Sequence, residues 1–301
     1  MNKGFRGILI AGAIALLAGF GLVVAGIVAG ASWSDVGSVI FSGKYSIGPS
    51  TNWGWKTGAT EVESGDKLDE ESNILKDIDA RAIEKLTIEM SAGELKVKEG
   101  NSEYFQIVNQ EKTGDCYISH DEEELTITVR GKYGNNTGAK TTVWLPKGFE
   151  ADELMIHTDA GKVQTENLKA TTLKLSVGAG QIRTEAISAS DVNIEVDAGE
   201  FRGSGKITTE RAELKVAAGG LRVDLLEAED ADVKVDVGHI NVKFVGNQDD
   251  YNIDAECDVG EMRIGGQKYY LGKEYQSKNS NANKTIQVEC NVGQAIVDFE
   301  N

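Results

Sequence analysis

An eight-residue phrase that ends in glycine recurs along most of this chain of 301 residues. In a typical copy, residues 173–180, the apolar side chains of Leu173, Leu175 and Val177 alternate with polar ones before the glycine. Six regular copies follow one another at intervals of 19 to 22 residues, and two more stand apart from them. Their final glycines are Gly93, Gly161, Gly180, Gly199, Gly219, Gly238, Gly260 and Gly293. A fixed period of about 20 residues indicates a stack of repeated units, and we expect each of these glycines to mark a structural turn.

Alternation of apolar and polar residues predicts a β-strand with one buried face and argues against a helix. Another apolar residue stands two positions after each glycine, as Val163 and Ile182 do. A further apolar residue follows about five positions later, at Leu168, Ile187, Ile207, Leu226 and Val245. One repeat cannot enclose a core, but repeats stacked about 4.8 Å apart place equivalent residues above one another. The chain is therefore expected to be all-β, forming a parallel β-solenoid (a single-stranded β-helix) with about 19–20 residues per coil. An antiparallel β-sandwich is the alternative.

The N-terminal segment differs from the repeats in composition. Residues 7–31 contain no charged and no strongly polar side chain, and Lys3 and Arg6 precede them. As a helix this segment would extend roughly 37 Å, enough to cross a bilayer. Because basic residues stay on the cytoplasmic side, we expect residues 1–31 to form an N-terminal transmembrane helix with its N-terminus inside. Ala29 and Ala31 would also fit a signal-peptide cleavage site, but the apolar region of such a peptide normally spans only about 7–15 residues.

The rest of the chain divides by pattern. Residues 32–73 are rich in Gly, Ser, Thr and acidic residues, which predicts a flexible juxtamembrane stalk. Residues 74–301 are expected to form the solenoid domain. Within that domain we expect an irregular N-terminal cap section over 74–150, regular coils over 151–264, and a loop followed by a C-terminal coil over 265–301.

The late loop carries three tyrosines, Tyr269, Tyr270 and Tyr275. Insertions in solenoids gather on one face, which is often the face that binds a partner. These tyrosines are therefore the predicted binding surface. The alternative is that the loop is a connector that closes the C-terminal end of the core.

The charge of the chain restricts its partners. The formal net charge is −17 and the sequence pI is about 4.7. This balance argues against nucleic acid as a partner, and against anionic lipid or teichoic-acid surfaces as simple electrostatic partners.

Acidic residues also recur at one position of the phrase, two residues before the glycine, at Asp159, Asp197, Asp236 and Asp258. Stacked carboxylates could bind Ca²⁺, and Asp236 and Asp258 are expected on adjacent coils. Asp also stabilises turns by accepting hydrogen bonds from nearby backbone N–H groups, so we expect no metal site.

No catalytic constellation stands out in the sequence. His120, His157 and His239 fall at different phases of the repeat, and no nucleophile has an adjacent base. No glycine-rich loop has the context of a phosphate-binding motif. We therefore expect no catalytic residues, no cofactor and no enzymatic activity, with a polysaccharide-acting enzyme as the less favoured alternative.

Two cysteines occupy equivalent repeat positions. Cys257 and Cys290 each stand three residues before a turn glycine, in an inward slot that is otherwise filled by valine. The other occupants of that slot include Val177, Val196, Val216 and Val235. Neighbouring coils would bring the two cysteines within the Cα distance that a disulfide tolerates. They are candidates for a disulfide, or alternatively for buried free thiols that act as small apolar residues.

The chain resembles the bacterial putative-adhesin domain family of unknown function, which includes the LiaG-like proteins. The N-terminal apolar segment, residues 83–97, residues 142–148 and the recurring Asp-Ala-Gly-x-apolar phrase carry the resemblance. It covers roughly residues 74–301. The resemblance implies a single-stranded parallel β-helix and supplies no catalytic residues. LiaG-like members accompany envelope-stress regulatory systems.

These observations predict a membrane-anchored, extracytoplasmic binding and display module, an adhesin of the bacterial cell surface. Its expected location is the bacterial cytoplasmic membrane, which it would cross once with its C-terminal domain outside. Its expected partners are the membrane, through the N-terminal helix, and a surface glycan or envelope protein whose identity the sequence does not give. An accessory protein of an envelope-stress sensing system is the alternative.

Overall fold

The computed structural model describes residues 66–68, 72–109, 114–131, 139–270 and 272–300. In these residues the strands join in one hydrogen-bonded sheet. The strands are β1 (Asp66–Lys67), β2 (Ser72–Ile74), β3 (Lys85–Met90), β4 (Gly93–Glu99), β5 (Gln106–Asn109), β6 (Gly114–His120), β7 (Glu124–Gly131), β8 (Ala139–Leu145), β9 (Ala151–Thr158), β10 (Lys162–Val177), β11 (Gln181–Val196), β12 (Glu200–Thr208), β13 (Arg211–Val216), β14 (Gly220–Glu227), β15 (Asp230–Val245), β16 (Tyr251–Ile264), β17 (Gln267–Tyr270), β18 (Lys273–Ser277) and β19 (Lys284–Glu300).

One 3₁₀ turn, Gln248–Asp250, is the only helical element in the described part of the chain. None of the described residues form a helix that is long and apolar enough to cross a membrane. The predicted transmembrane segment over residues 1–31 and most of the predicted stalk lie outside the described residues.

The strands form two ladders that share one core. Segments that precede the turn glycines pair side by side as the pre-glycine ladder, in the order β7, β3, β9, β10, β11, β13, β15, β19, β16. Segments that follow the glycines pair as the post-glycine ladder, in the order β8, β4, β10, β11, β12, β14, β15, β19, β16. Every pairing within these two series is parallel, and the long strands β10, β11, β15, β16 and β19 contribute to both.

The inward slot of the repeat forms a continuous column. Val177 pairs in register with Val196, Val196 with Val216, and Val216 with Val235. All four side chains are at most 2 % exposed and belong to one apolar core cluster. The expectation of an all-β chain built from stacked repeats is therefore confirmed.

One inward position differs from the prediction. Val245 was expected to face the core, but Phe244 is the buried residue there and pairs with Leu226 of the neighbouring coil. The register between β14 and β15 shifts by one residue just before this pair. A bulge of this kind turns every following side chain to the opposite face.

The spatial order of the coils departs from their order in the sequence at both ends. The first coil, β3 and β4, lies inside the coil formed by β7 and β8. The last strand, β19, lies between β15 and β16. In the part of the chain that the structure describes, nine parallel coils at the usual strand spacing make a stack roughly 40 Å long.

Antiparallel strands close both ends of this stack. At one end β6 and β1 extend the pre-glycine ladder, and β5 and β2 extend the post-glycine ladder. At the other end β18 and β17 pair with β16. Among the described residues the sheet begins at Asp66, so it includes part of the range 32–73 that the sequence predicts to be a flexible stalk.

The turn glycines stack directly on one another, and this contact explains why they recur. A Cβ atom on Gly199 would lie closer than 3.0 Å to the carbonyl oxygen of Gly180 on the next coil. Gly199 does not have a positive φ, so backbone conformation does not require glycine there, whereas Gly238 combines the same close approach with a φ of 144°. The backbones of neighbouring coils approach each other too closely at this corner to leave room for a column of side chains.

Candidate binding surfaces

Two of the three tyrosines predicted as a binding surface close the end of the core. The rings of Tyr269 and Tyr275 lie 5.2 Å apart between centroids, and both pack against the apolar core cluster. Gln248 Nε2 donates a hydrogen bond to Tyr275 Oη at 2.7 Å. Strands β17 and β18 bring these rings together because both pair with β16.

Tyr270 has a different environment. Its side chain is 53 % exposed, and it pairs with Glu261 of β16 on the outer surface. Alternation along β17 places Tyr269 and Tyr270 on opposite faces of the strand. The structure thus separates the predicted surface into a core-closing pair and one exposed ring.

The post-glycine ladder carries a row of outward-facing residues without a carboxylate. We call this row, which stands three positions after each turn glycine in the regular coils, the basic row. From one end of the stack to the other its members are Thr142, Lys96, Gln164, Arg183, Arg202, Arg222, Asn241, Ile296, Arg263 and Lys268. At its centre, Arg183, Arg202 and Arg222 lie in register on three adjacent coils.

Carboxylates flank the basic row. Asp224 serves two arginines: its Oδ1 lies 2.5 Å from Arg222 Nε and its Oδ2 lies 3.5 Å from Arg202 Nη2. These contacts lower the pKa of the Asp224 carboxyl, although burial acts in the opposite direction. Arg183 is exposed, and among the described residues no carboxylate forms an ion pair with it.

The pre-glycine ladder presents a more acidic outer surface. His157 Nε2 lies 2.8 Å from Asp159 Oδ1, on β9 and the turn that follows it. Glu195 of β11 is half-buried, and burial together with the nearby Asp197 carboxylate raises the pKa of Glu195.

The histidines that fall at different phases of the repeat also lie apart in space, because His157 belongs to the pre-glycine ladder and His239 to the other.

The row of aspartates is interrupted by the strand order. Asp236 and Asp258 were expected on adjacent coils, but this expectation is wrong because Asn291 of β19 lies between them and donates a hydrogen bond to Asp236. In the described residues, no three His, Cys, Asp or Glu side chains converge in a way that could hold a metal ion.

Cys257 and Cys290 lie in register on adjacent coils, as predicted from their repeat positions. Both are free thiols, at most 2 % exposed. Burial raises the pKa of Cys257 and raises that of Cys290 to about 12. The disulfide between them remains a prediction.

A shallow groove of about 510 Å³ runs across the corner between the two ladders. Small residues such as Ala170 and Ala228 line it, together with the exposed carboxylates of Glu150, Glu210 and Glu229. The groove is acidic and open.

The basic row was not identified from the sequence, although the signal was present. Aligning the repeats on their glycines places Gln164, Arg183, Arg202, Arg222 and Arg263 at one position. The net charge of −17 gives no sign of this row, because the acidic residues that produce that charge stand at other positions.

Three solved structures are similar to this chain. A putative cell adhesion protein from Clostridium sporogenes is 13 % identical, with 79 % of this chain and 100 % of that chain covered and a TM-score of 0.33. A putative adhesin from Bacteroides fragilis is 12 % identical, with 79 % and 98 % covered and a TM-score of 0.38. A putative lipid binding protein from Parabacteroides distasonis is 12 % identical, with 77 % and 96 % covered and a TM-score of 0.37. No curated protein matches the chain.

The family model for the Toastrack DUF4097 domain matches residues 83–291, which is more than half of the chain and includes eight of the nine parallel coils in full or in large part. The matched region contains all of the strands from β3 to β18. The resemblance inferred from the glycine phrases is thereby confirmed, and this chain belongs to the Toastrack DUF4097 family.

Proposed function

We propose that this protein is a non-enzymatic binding and display module of the bacterial cell surface. Residues 1–31 would anchor it in the cytoplasmic membrane with the N-terminus inside, and the solenoid would stand on the extracytoplasmic side. The solenoid would act as an adhesin toward a surface glycan or an envelope protein.

The observation that carries this proposal is the register of the two ladders. Equivalent outward residues on successive coils stand in straight rows, as Arg183, Arg202 and Arg222 do. Strands that are hydrogen-bonded on both sides hold the backbone of these rows in place, so little backbone order has to be gained when a partner binds. A repeated, prearranged surface suits a partner that is itself repetitive.

The three histidines do not converge on one site. His157 and His239 belong to different ladders, and His120 lies in β6 of the closing section.

The first test addresses location and attachment together. The full chain would be expressed in a non-adherent bacterium, and intact cells would be treated with an amine-reactive reagent that does not cross membranes. We expect labelling of solenoid lysines on intact cells, and more attachment to immobilised wall glycans than with an empty vector. Labelling only after lysis would contradict the proposed orientation, and unchanged attachment would contradict the adhesin role.

The second test addresses the exposed tyrosine. Replacing Tyr270, which is 53 % exposed, with alanine should weaken attachment if it contributes a stacking contact. Tyr104 is the matched control, since it is 39 % exposed at the opposite end of the stack. Equal effects of Tyr270→Ala and Tyr104→Ala would exclude a specific contact at Tyr270.

A further inference from the structure

We propose that the basic row binds a linear polyanion built from repeating phosphodiester units, with the polymer lying along the stack of coils. This proposal rests on the proposed surface role and specifies both the face that binds and the chemistry of the partner. The central binding residues would be Arg183, Arg202 and Arg222.

The three arginines form an arrangement that is unfavourable without an anion. Like charges directly opposite each other on neighbouring strands repel. Arg183 pairs in register with Arg202, and Arg202 with Arg222. Asp224 is shared by two of them, while Arg183 extends into solvent without an ion pair to any described carboxylate. An added anion would therefore relieve repulsion as well as form new bonds.

Arginine favours phosphate as the anion. Its planar guanidinium presents a fork of N–H donors that matches two phosphate oxygens, and it stays charged at every physiological pH. The coils repeat about every 4.8 Å, and flexible side-chain stems let each guanidinium shift by several ångström along the row. Successive phosphates of one polymer can thus meet successive arginines.

The flanking carboxylates favour a thin chain over a flat anionic surface. Glu200 stands two positions before Arg202 on one side of the row, and Asp224 stands two positions after Arg222 on the other. Side chains two apart on a strand share a face. A membrane pressed against this face would bring its phosphates against both carboxylates, whereas a single polymer strand can contact the central guanidinium groups alone.

The overall charge of −17 does not exclude this partner. Salt screens interactions beyond about 8–10 Å at physiological ionic strength, so carboxylates on the other ladder act weakly on an anion bound at the basic row. The carboxylates of Glu185, Glu200 and Asp224 stand beside the arginines on the same ladder and weaken the attraction, so the site depends most on Arg183, which forms no ion pair with a described carboxylate. Net charge averages over both ladders and does not describe the field at the basic row.

The test uses the purified full chain in detergent and a synthetic poly(glycerol phosphate) as the probe. Binding would be measured by fluorescence anisotropy of end-labelled polymer at about 50 mM and about 200 mM salt, a range over which multiple phosphate contacts should weaken strongly. We expect the triple variant Arg183→Gln, Arg202→Gln, Arg222→Gln to bind about a thousandfold more weakly, since each of the three lost charge-assisted bonds costs about tenfold.

A matched control removes the same charge from the other ladder. Lys174, Lys215 and Lys234 face outward from the pre-glycine ladder on β10, β13 and β15. The variant Lys174→Gln, Lys215→Gln, Lys234→Gln should lose less than about threefold in affinity if the effect is local. A third variant with lysine at the three arginine positions should keep only part of the affinity, because it keeps the charge but lacks the fork.

Three results would overturn the inference. Equal losses in the glutamine variants of the two ladders would show general electrostatics instead of a site. Binding to vesicles of 30 % phosphatidylglycerol in phosphatidylcholine, with none to the polymer, would assign the face to a membrane. Absence of polymer binding in a chain that still promotes cell attachment would refute the polyanion site and leave the proposed function standing. A chain that binds the polymer but does not promote cell attachment would refute the proposed function and leave the polyanion site standing.

Discussion

Asn291 donates a hydrogen bond to Asp236 across 3.0 Å, although 55 residues separate them along the chain. The contact exists because β19 inserts between β15 and β16. At the opposite end, β3 likewise lies inside β7. Neither the first nor the last coil of the sequence therefore forms an end of the parallel stack, and each is held by hydrogen bonds on both sides.

This insertion predicts that the C-terminal strand is one of the stable parts of the fold. Ile286 of β19 is fully buried, and Ile286→Ala should lower the free energy of unfolding by about 2–5 kcal/mol, as large-to-small core substitutions do. Ile74→Ala is the control. Ile74 is 49 % exposed, so its replacement should lower the free energy of unfolding by less than about 0.5 kcal/mol. Urea unfolding measures both.

Hydrogen exchange gives an independent check on the same prediction. Amides of β19 should be protected about as well as those of β11 in the middle of the stack, since both strands are paired on two sides. Rapid exchange throughout β19 would mean that it frays like a terminal strand, and the inserted position would be wrong.

The glycine column predicts a large effect for a small substitution. In Gly199→Ala the new Cβ would collide with the carbonyl oxygen of Gly180, so the two coils must move apart. We expect a loss of about 1–3 kcal/mol or more, typical of overpacking. Gly266→Ala is informative by contrast: Gly266 has a φ of 81° and open space around it, so only the backbone cost of about 1–2 kcal/mol applies.

A further pair of variants distinguishes the two causes. Asparagine tolerates a positive φ better than alanine. Gly266→Asn should therefore recover part of the stability lost in Gly266→Ala, whereas Gly199→Asn should be no better than Gly199→Ala. Recovery at position 199 would show that backbone conformation, and not the contact with Gly180, selects glycine there.

The sequence was sufficient for the repeat phase but not for the order of the coils. Val177 and Val196 could be placed above one another because apolar alternation and glycine spacing fix which side chains point inward. In the stack, the neighbour of Val235 could be either Cys257 or Cys290 on sequence grounds, because the coils that contain these two cysteines present a small apolar residue at the same slot. Local pattern does not discriminate between such neighbours, so the insertion of β19 became visible only in the pairing.

The candidate site was predictable to a similar degree. Tyr269, Tyr270 and Tyr275 were recognised as a group, but their separation depends on how β17 and β18 fold back onto β16. The basic row follows from repeat alignment alone. Net charge, which averages over the whole chain, hid it.

The buried cysteines are expected to be unreactive in the native protein. Only the thiolate is a good nucleophile, and the pKa of Cys290 is raised to about 12 by burial, so almost none is present at pH 8. With reductant present, iodoacetamide should modify Cys116, Cys257 and Cys290 slowly in the folded full chain and rapidly in urea, as read by mass spectrometry. Fast native labelling of Cys257 or Cys290 would contradict their burial.

The same samples test the predicted disulfide. If the disulfide forms, chain isolated from the extracytoplasmic side without reductant yields a linked 257–290 peptide on non-reducing digestion. Full alkylation of Cys257 and Cys290 after unfolding would contradict the disulfide. Cys116 pairs with Val129 in another part of the sheet and serves as the internal control. A link that involves Cys116 would not be compatible with the observed coil order.

Glu195 predicts an unusual pH dependence. Its neighbours Asp197 and Glu213 are acidic, Lys215 and His157 are basic, and burial raises its pKa above the ordinary 4.5. A raised folded-state pKa means that the folded protein binds a proton more tightly than the unfolded chain. The contribution of Glu195 to stability is therefore fully present below pH 4.5 and is lost as the pH rises through its folded-state pKa. At pH 7 the buried charge destabilises the fold, so Glu195→Gln should raise the urea midpoint at pH 7. The difference in urea midpoint between the variant and the wild type should shrink as the pH falls toward 4.5.

Asp121 provides a control of opposite sign. The backbone N–H groups of Glu123 and Glu124 donate hydrogen bonds to its carboxylate at 3.0 and 2.9 Å, and these bonds lower its pKa below the ordinary 3.8. Because its folded-state pKa is lowered, Asp121 stabilises the fold above pH 3.8. This contribution to stability is lost as the pH falls through the folded-state pKa. Asp121→Asn should therefore lower the urea midpoint at pH 7. If Glu195→Gln also lowers the midpoint at pH 7, then the carboxylate of Glu195 is stabilised by Lys215 and His157 more than burial penalises it, and the raised pKa of Glu195 is wrong.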